Sequence, residues 1–256
     1  MIHSSAIIDP SARLADDVEV GPWTIIGPDV EVGPGTKIHS HVVIKGPTKI
    51  GSHNHIYQFA SIGEDCQDKK YNGEPTELLI GDHNVFREGC TVHRGTIQDN
   101  SITVIGSHNL FMANVHVAHD CVVGDQNILA NNCALAGHVH LGDYIILGGF
   151  TAVHQFCLIG SHSMCGAGSV VLKDIPAFVM SNGNSAQPHG INAEGLRRRG
   201  FSAEAIQNIK RAYKIIYRQG LKLEEAIAQL DPLVAETPEL QLLSDSLKAS
   251  SRGIIR

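Results

Sequence analysis

The run IGSHNLFMANVHVAHDCVVGDQNILANNCALAGHVHLGDYIIL, residues 105–147, places a large apolar side chain at every sixth position: Ile105, Phe111, Val117, Val123, Leu129, Leu135, Leu141 and Leu147. The count continues through Val153, Ile159, Cys165 and Val171. Toward the N-terminus it breaks at residues 93–104 and resumes one residue out of phase at Val92, Phe86 and Ile80. It then skips residues 63–79 and runs in phase from Ile62 back to Ile2. Of these 26 positions, 23 are Ile, Leu or Val. An α-helix needs a period near 3.6 and an ordinary strand a period of 2. Six residues suit a short strand followed by a turn. Three such units close a triangular coil of 18 residues, and coils stack about 4.8 Å apart through strand hydrogen bonds. The aliphatic side chain points inward, as does the small or β-branched one two residues before it (Val18, Thr24, Val30, Thr36).

Cys90, Cys121, Cys133 and Cys157 fall on the small inward position and Cys165 on the aliphatic one; only Cys66 lies off the lattice. Packing explains five of the six cysteines, and reduced thiols fit a cytoplasmic location. The chain has no apolar run of the ~20 residues that span a bilayer, and MIHSSAIIDP is no signal peptide. The net charge of −6 is unevenly spread: residues 1–193 hold 9 Lys/Arg against 18 Asp/Glu, whereas residues 195–222 hold 8 against Glu204 alone. A basic segment on an acidic protein indicates either an anionic partner or a solvated helix face.

Two segments leave the lattice. Residues 63–79, GEDCQDKKYNGEPTELL, are polar and rich in turn formers, and occupy a whole coil's length, so the phase survives. Residues 93–104, HRGTIQDNSITV, form the second excursion. Insertions on a solenoid tend to gather on one side and carry binding functions. Past Pro188 the sixes give way to helical signals. Ser202 is a good N-cap for a helix through Arg218, with Gly220 as its stop and Ile206, Ile209, Tyr213, Ile216 and Tyr217 on one face. Residues 224–230 read as a second helix, and Thr237-Pro238 opens a third. The division is a β-helix over residues 1–190 and a helical domain over 191–256.

Stacking arithmetic locates a candidate site. Adding 18 puts Gly137 above His119 and His138 above Asp120, with Gln155 two coils above His119. His154 lies in the column of Ala118 and Ala136. His119, His138 and His154 thus occupy adjacent columns on successive coils, off the inward positions, and the glycine above His119 leaves room for a substrate. Three readings compete: solvated imidazoles, a zinc site, or a general base that deprotonates a hydroxyl attacking a thioester. In the last, Asp120 fixes the tautomer and the Gly137 N–H faces the oxyanion.

The motifs YQFASIGEDCQDKKYNGEPT, HRGT, NVHVAHD, ILANN, LAGHVHLGD, TAVHQFC, NAEGLRRRGFS and SSRGIIR span nearly the whole chain. In these the chain resembles the UDP-N-acetylglucosamine O-acyltransferases that begin lipid A synthesis, among the bacterial hexapeptide-repeat acyltransferases. The resemblance implies a left-handed parallel β-helix, a hand that periodicity does not give. It implies acyl transfer from acyl carrier protein, and a homotrimer with active sites between subunits. No metal or organic cofactor is implied beyond the carrier's phosphopantetheine, and no nucleic acid. It assigns the general base to His119, assisted by Asp120, with Gly137 as oxyanion donor. Gln67, Asp68 and Lys70 would face the sugar from a neighbouring subunit. His116, His138, His154 and Gln155 match substrate-pocket positions, and Asn192, Glu194, Arg198 and Arg199 the uridine-diphosphate segment. The remaining basic residues of the helical domain would dock the carrier. Ala167, in Met164-Cys-Gly-Ala-Gly168, matches the position that limits acyl length, and its small side chain implies a long 3-hydroxyacyl chain. The related N-acyltransferases carry an extra N-terminal domain, for which sixes starting at Ile2 leave no room. Hexapeptide-repeat carbonic anhydrases, with metal between subunits, and a non-catalytic solenoid are the rivals of other classes.

Overall fold

The computed structural model describes residues 1–256. Each hexad supplies a short strand, and strands of successive coils pair in parallel. Val104 pairs with Val122, Val122 with His140 and His140 with Leu158, a step of 18 residues. Sheets of nine, eight and ten strands form the three walls of the solenoid. The lattice side chains fill one continuous core of 40 buried residues. Each buried aliphatic side chain contributes about 1.5–3 kcal/mol against exposure. All six cysteines are free and buried, Cys66 included. Burial pushes the Cys121 thiol up to about 12, so it is inert as a nucleophile.

The interior is not wholly apolar. Asn54, Asn84, Asn109 and Asn127 occupy one inward column, fully buried. The Oδ1 of each accepts from a backbone N–H on the coil above, at 2.7–2.9 Å. The amides of Asn54, Asn84 and Asn109 donate at 2.9 Å to the carbonyls of Gly81, Gly106 and Gly124. The ladder satisfies backbone groups that a corner would otherwise leave unpaired in the core.

Corners need one residue with left-handed backbone, which Asn, Asp and His tolerate better than most. Six of the fifteen histidines, His41, His53, His83, His108, His138 and His162, stand at such positions, with φ between 55° and 62°. Much of the histidine content is therefore structural.

The first excursion is shorter than a whole coil. Ile50 pairs with Ile80, and Ile62 with Val92, so each step is 30 residues, 12 more than a plain coil. Two hexads preserve the phase as well as three would. In the second excursion Ile80 pairs with Ile105 and Val92 with Val117. That step of 25 adds seven residues, which accounts for the slip of one.

The solenoid ends in a hairpin, Val179–Asn182 against Gln187–Ile191. Four helices follow: α1 (Ala193–Arg198), α2 (Ala203–Arg218), α3 (Leu223–Glu236) and α4 (Gln241–Lys248). Ser202 caps α2, accepting from the Ala205 N–H at 3.0 Å, and Gly220 follows it with φ 69°. Sequence reading missed α1 and cut α3 short, since α3 runs on past Pro232. Pro238 opens a 3-10 turn, Pro238–Leu240, that leads into α4. The helices share a second core with Phe178 and Leu196, whereas Tyr213 and Ile255 pack into the solenoid core. No helix is long and apolar enough to cross a membrane.

Candidate active site

His119, Asp120, Gly137 and His138 meet at the corner that follows the strands His116–Val117 and Ala134–Leu135. The Asp120 side chain is fully buried and that of His119 is 15% exposed. His119 Nδ1 lies 2.8 Å from Asp120 Oδ2. A carboxylate only accepts, so Nδ1 carries the hydrogen and Nε2 keeps its lone pair. Burial alone would raise the Asp120 pKa, but hydrogen bonds from His119 and Thr96 outweigh it and hold the carboxyl below its ordinary value. Thr96 donates its N–H to Oδ1 at 2.9 Å and its hydroxyl to Oδ2 at 2.6 Å. The Asp120 N–H donates to Thr103 Oγ1 at 2.8 Å. The residue is clamped from three sides.

Gly137 does not leave room above His119 for a substrate, as the column arithmetic suggested. The imidazole itself fills that space: a Cβ on Gly137 would stand 2.5 Å from His119 Cε1 and 2.6 Å from Nε2. The glycine is required so that the base can stand upright beneath it. The Gly137 N–H donates to no group of the chain, while its carbonyl accepts from the Phe156 N–H at 3.1 Å. A free N–H thus sits beside a free imidazole nitrogen.

His138 closes the corner. Its ring stacks on Phe156 at 4.3 Å and meets the His119 ring edge-on at 5.0 Å. Its Nδ1 lies 2.8 Å from Asp99 Oδ2, and its Nε2 3.9 Å from Asp120 Oδ2. His116 packs edge-on against His93, with Nδ1 2.7 Å from Thr91 Oγ1. His119, Asp120 and His138 are the one His/Cys/Asp/Glu group close enough to suggest metal ligands; the two Nδ1 atoms and the Asp120 oxygens are taken up by the hydrogen bonds above, and the two Nε2 atoms are free. His154 stays outside this knot. It is exposed, and its Nδ1 is satisfied by the Gln155 carbonyl at 3.0 Å.

Above His116 the outward positions turn apolar, a feature that sequence reading passed over. Ala134, Ala152 and Val170 follow one another on its sheet. On the next wall Ile128, Ile146 and Met164 stack in the same way, all half-buried. Ala167 is exposed at the corner between these two walls, and a Cβ on Gly148 would stand 2.6 Å from its nitrogen.

The remaining assigned residues lie apart. In the first excursion Gln67 and Lys70 are exposed, and Asp68 accepts from the Lys70 N–H at 2.9 Å. Arg94, buried, reaches across from the second excursion to Asp65 and to the Tyr71 hydroxyl. Asn192 is buried as the N-cap of α1: its Oδ1 accepts from Gly195 N–H at 3.1 Å and its amide donates to the His162 carbonyl at 3.0 Å. Its side chain is therefore spent on placing α1. Glu194 pairs with Arg197 and Arg198, and Arg199 lies over the Tyr144 ring at 5.0 Å with one buried, unpaired nitrogen. Burial, then the Arg199 charge, push His162 down to about 4. Thr96 and Asp99 were the omissions of sequence reading. Both stand on an excursion that the six-residue count does not index.

A hexapeptide solenoid with an imidazole–carboxylate pair beside a free backbone N–H defines the class: transferases of the bacterial hexapeptide type, whose six-repeat family model matches residues 102–137. The second domain of UDP-N-acetylglucosamine O-acyltransferase matches residues 174–255. An acyl-[acyl-carrier-protein]–UDP-N-acetylglucosamine O-acyltransferase from Thiobacillus denitrificans is 64% identical over 255 residues, covering 100% of this chain and 99% of its own. Its counterpart from Stutzerimonas stutzeri is 61% identical at the same coverage. The structure of LpxA from Acinetobacter baumannii superposes with a TM-score of 0.98 at 58% identity. That of UDP-N-acetylglucosamine O-acyltransferase from Moraxella catarrhalis gives 0.99 at 54%, each covering 100% of this chain and 99% of the other. The chain belongs to the UDP-N-acetylglucosamine O-acyltransferase family, and its solenoid is the left-handed parallel β-helix with a small helical C-terminal part.

Proposed function

We propose that this protein transfers a long 3-hydroxyacyl chain from acyl carrier protein to the 3-hydroxyl of UDP-N-acetylglucosamine, the first step of lipid A synthesis. The observation that carries this reading is the His119–Asp120 pair set beneath the unpaired Gly137 N–H. His119 Nε2 takes the proton of the sugar hydroxyl as its oxygen attacks the thioester carbon. The carbonyl oxygen becomes an oxyanion facing the Gly137 N–H. Collapse breaks the C–S bond, and the departing thiolate takes the proton back from the imidazolium. The fixed carboxylate of Asp120 stabilises the imidazolium between these steps. The chemistry uses no metal and no organic cofactor besides the phosphopantetheine that the carrier brings.

The apolar outward stripe of Ala134, Ala152, Ile146 and Met164 suits the acyl chain, and small Ala167 leaves its far end open. Arg198 and Arg199 would meet the pyrophosphate, which guanidiniums bind in bidentate fashion. The exposed Lys210, Arg211, Lys214 and Arg218 of α2 would receive the acidic carrier. Trp23, Phe59 and Phe150 are 63%, 65% and 70% exposed along one corner of the solenoid. On that corner His41 stands between Trp23 and Phe59, and Gly89, Asn114 and Asn132 between Phe59 and Phe150; large exposed aromatics among small and polar residues suit a face covered by a second copy, and support a homotrimer in which Gln67, Asp68 and Lys70 reach a neighbour's sugar site. Six free thiols fit a cytoplasmic enzyme.

The deciding experiment is an acyl-transfer assay with UDP-N-acetylglucosamine and carriers bearing ten- or fourteen-carbon 3-hydroxyacyl chains. Turnover with preference for the longer chain is expected, falling by about 10²–10⁴ in His119→Ala. No turnover by the wild-type protein would overturn the reading. A preference for ten carbons would overturn the role given to Ala167.

A further inference from the structure

His138 has no role of its own in the transfer as written, yet its ring is held on several sides. Four groups face it: Asp99 at Nδ1, Asp120 3.9 Å from Nε2, the edge of His119, and Phe156 stacked on its face. Phe156 fixes the plane of the ring but not which nitrogen carries the hydrogen. Asp120 cannot fix it either, because its oxygens are engaged by Thr96 and His119. Only Asp99 is at hydrogen-bond distance from a ring nitrogen, and a carboxylate there demands a hydrogen on Nδ1.

We propose that Asp99 is a positioning residue for the acyl transfer: it holds His138 in the Nδ1–H form and so keeps Nε2 an unprotonated acceptor on the side of the ring that faces the His119–Asp120 pair. Thr96 and Asp99 then act in parallel. One excursion of the chain supplies an orienting group to each of two imidazole systems, Thr96 through Asp120 to His119, and Asp99 directly to His138. The site consists of two crossed imidazole–carboxylate pairs. The proposal rests on the acyltransferase reading of this corner and extends it to a residue on an exposed loop.

The test combines spectroscopy with kinetics. Two-bond ¹H–¹⁵N spectra of the full-length protein, with His138 assigned by loss of its signals in His138→Gln, read the tautomer directly. Wild-type His138 is expected as Nδ1–H. Asp99→Ala should shift it toward the Nε2–H form that free histidine favours, and lower kcat/KM about 10–100-fold, the usual cost of losing an orienting partner. Asp99→Asn, whose amide oxygen still accepts, should keep the wild-type tautomer and most of the activity. Asp99→Ala should cost nothing further in a His138→Gln background, because its effect passes through that ring. An unchanged tautomer in Asp99→Ala overturns the proposal, as does an equal loss of activity in both backgrounds. The spectrum reads the ring without turnover, so a chain that transferred no acyl group would sink the functional reading and leave the Asp99 assignment to be judged on the tautomer.

Discussion

His116 shows how a single half-buried side chain couples the site to pH. Burial first, then the neighbouring His93 and His119, push its pKa down to about 4, against an ordinary value near 6.5. Between those values the unfolded chain binds a proton that the folded chain refuses. The stabilisation is complete above about pH 6.5 and drains away as pH falls toward 4. His162, lowered to about 4 by burial and then by Arg199, works in the same sense. The wild-type denaturation midpoint should therefore fall from pH 7 to pH 4, and His116→Gln should flatten that fall; an identical slope in the variant would refute it. At this scale the sequence was partly readable. Counting by 18 put Gly137 over His119 and His138 over Asp120, since these residues lie on an uninterrupted lattice. The same count misjudged what fills the space above His119, because period fixes the Cα column and not the rotamer. It had no means of finding Thr96 or Asp99.

Among the elements, the excursion of residues 93–104 matters most to the chemistry. Its Thr96 hydroxyl donates to a carboxylate that is wholly out of solvent, and a hydrogen bond to a charged group contributes about 1.5–3 kcal/mol. Thr96→Val keeps the shape and the backbone donor but removes the hydroxyl. It should lower kcat roughly 10–100-fold while leaving the secondary structure intact by circular dichroism; wild-type kcat would show that the backbone N–H suffices. The helical elements were legible where capping chemistry is explicit, as at Ser202 and Gly220. Helix α1 was not, since six residues give less than two turns of periodicity. Its start is fixed by the buried Asn192 cap, whose bond to the His162 carbonyl lies 30 residues away in sequence.

For the whole molecule, the periodic core defines one chain's fold completely, but it leaves Trp23, Phe59 and Phe150 standing in water on a single corner. Assembly is the simplest way to cover them. Phe59→Glu should convert trimer to monomer in light scattering coupled to gel filtration, and should abolish acyl transfer even though residue 59 is remote from His119 in sequence. A wild-type protein that ran as a monomer would refute the trimer outright. The outward face of a solenoid carries no rule that hexads impose, so sequence reading found the lattice and missed both this aromatic corner and the apolar stripe above His116. The charge asymmetry was visible throughout, as eight basic residues against one acid need no structure to be counted.

The two excursions differ in length by more than chance detail. Twelve added residues are a multiple of the repeat and seven are not, yet the coils beyond both stack without a fault. A lattice of this kind resists insertion or deletion almost everywhere, because one residue gained or lost within a hexad would put that coil out of register with its neighbours and turn its own inward side chains toward solvent. Where the polypeptide steps off the ladder that constraint lapses, and length and composition become free to drift. Thr96 and Asp99 stand in just such a stretch, so variation in chemistry among related enzymes should concentrate there while the scaffold beneath stays nearly fixed.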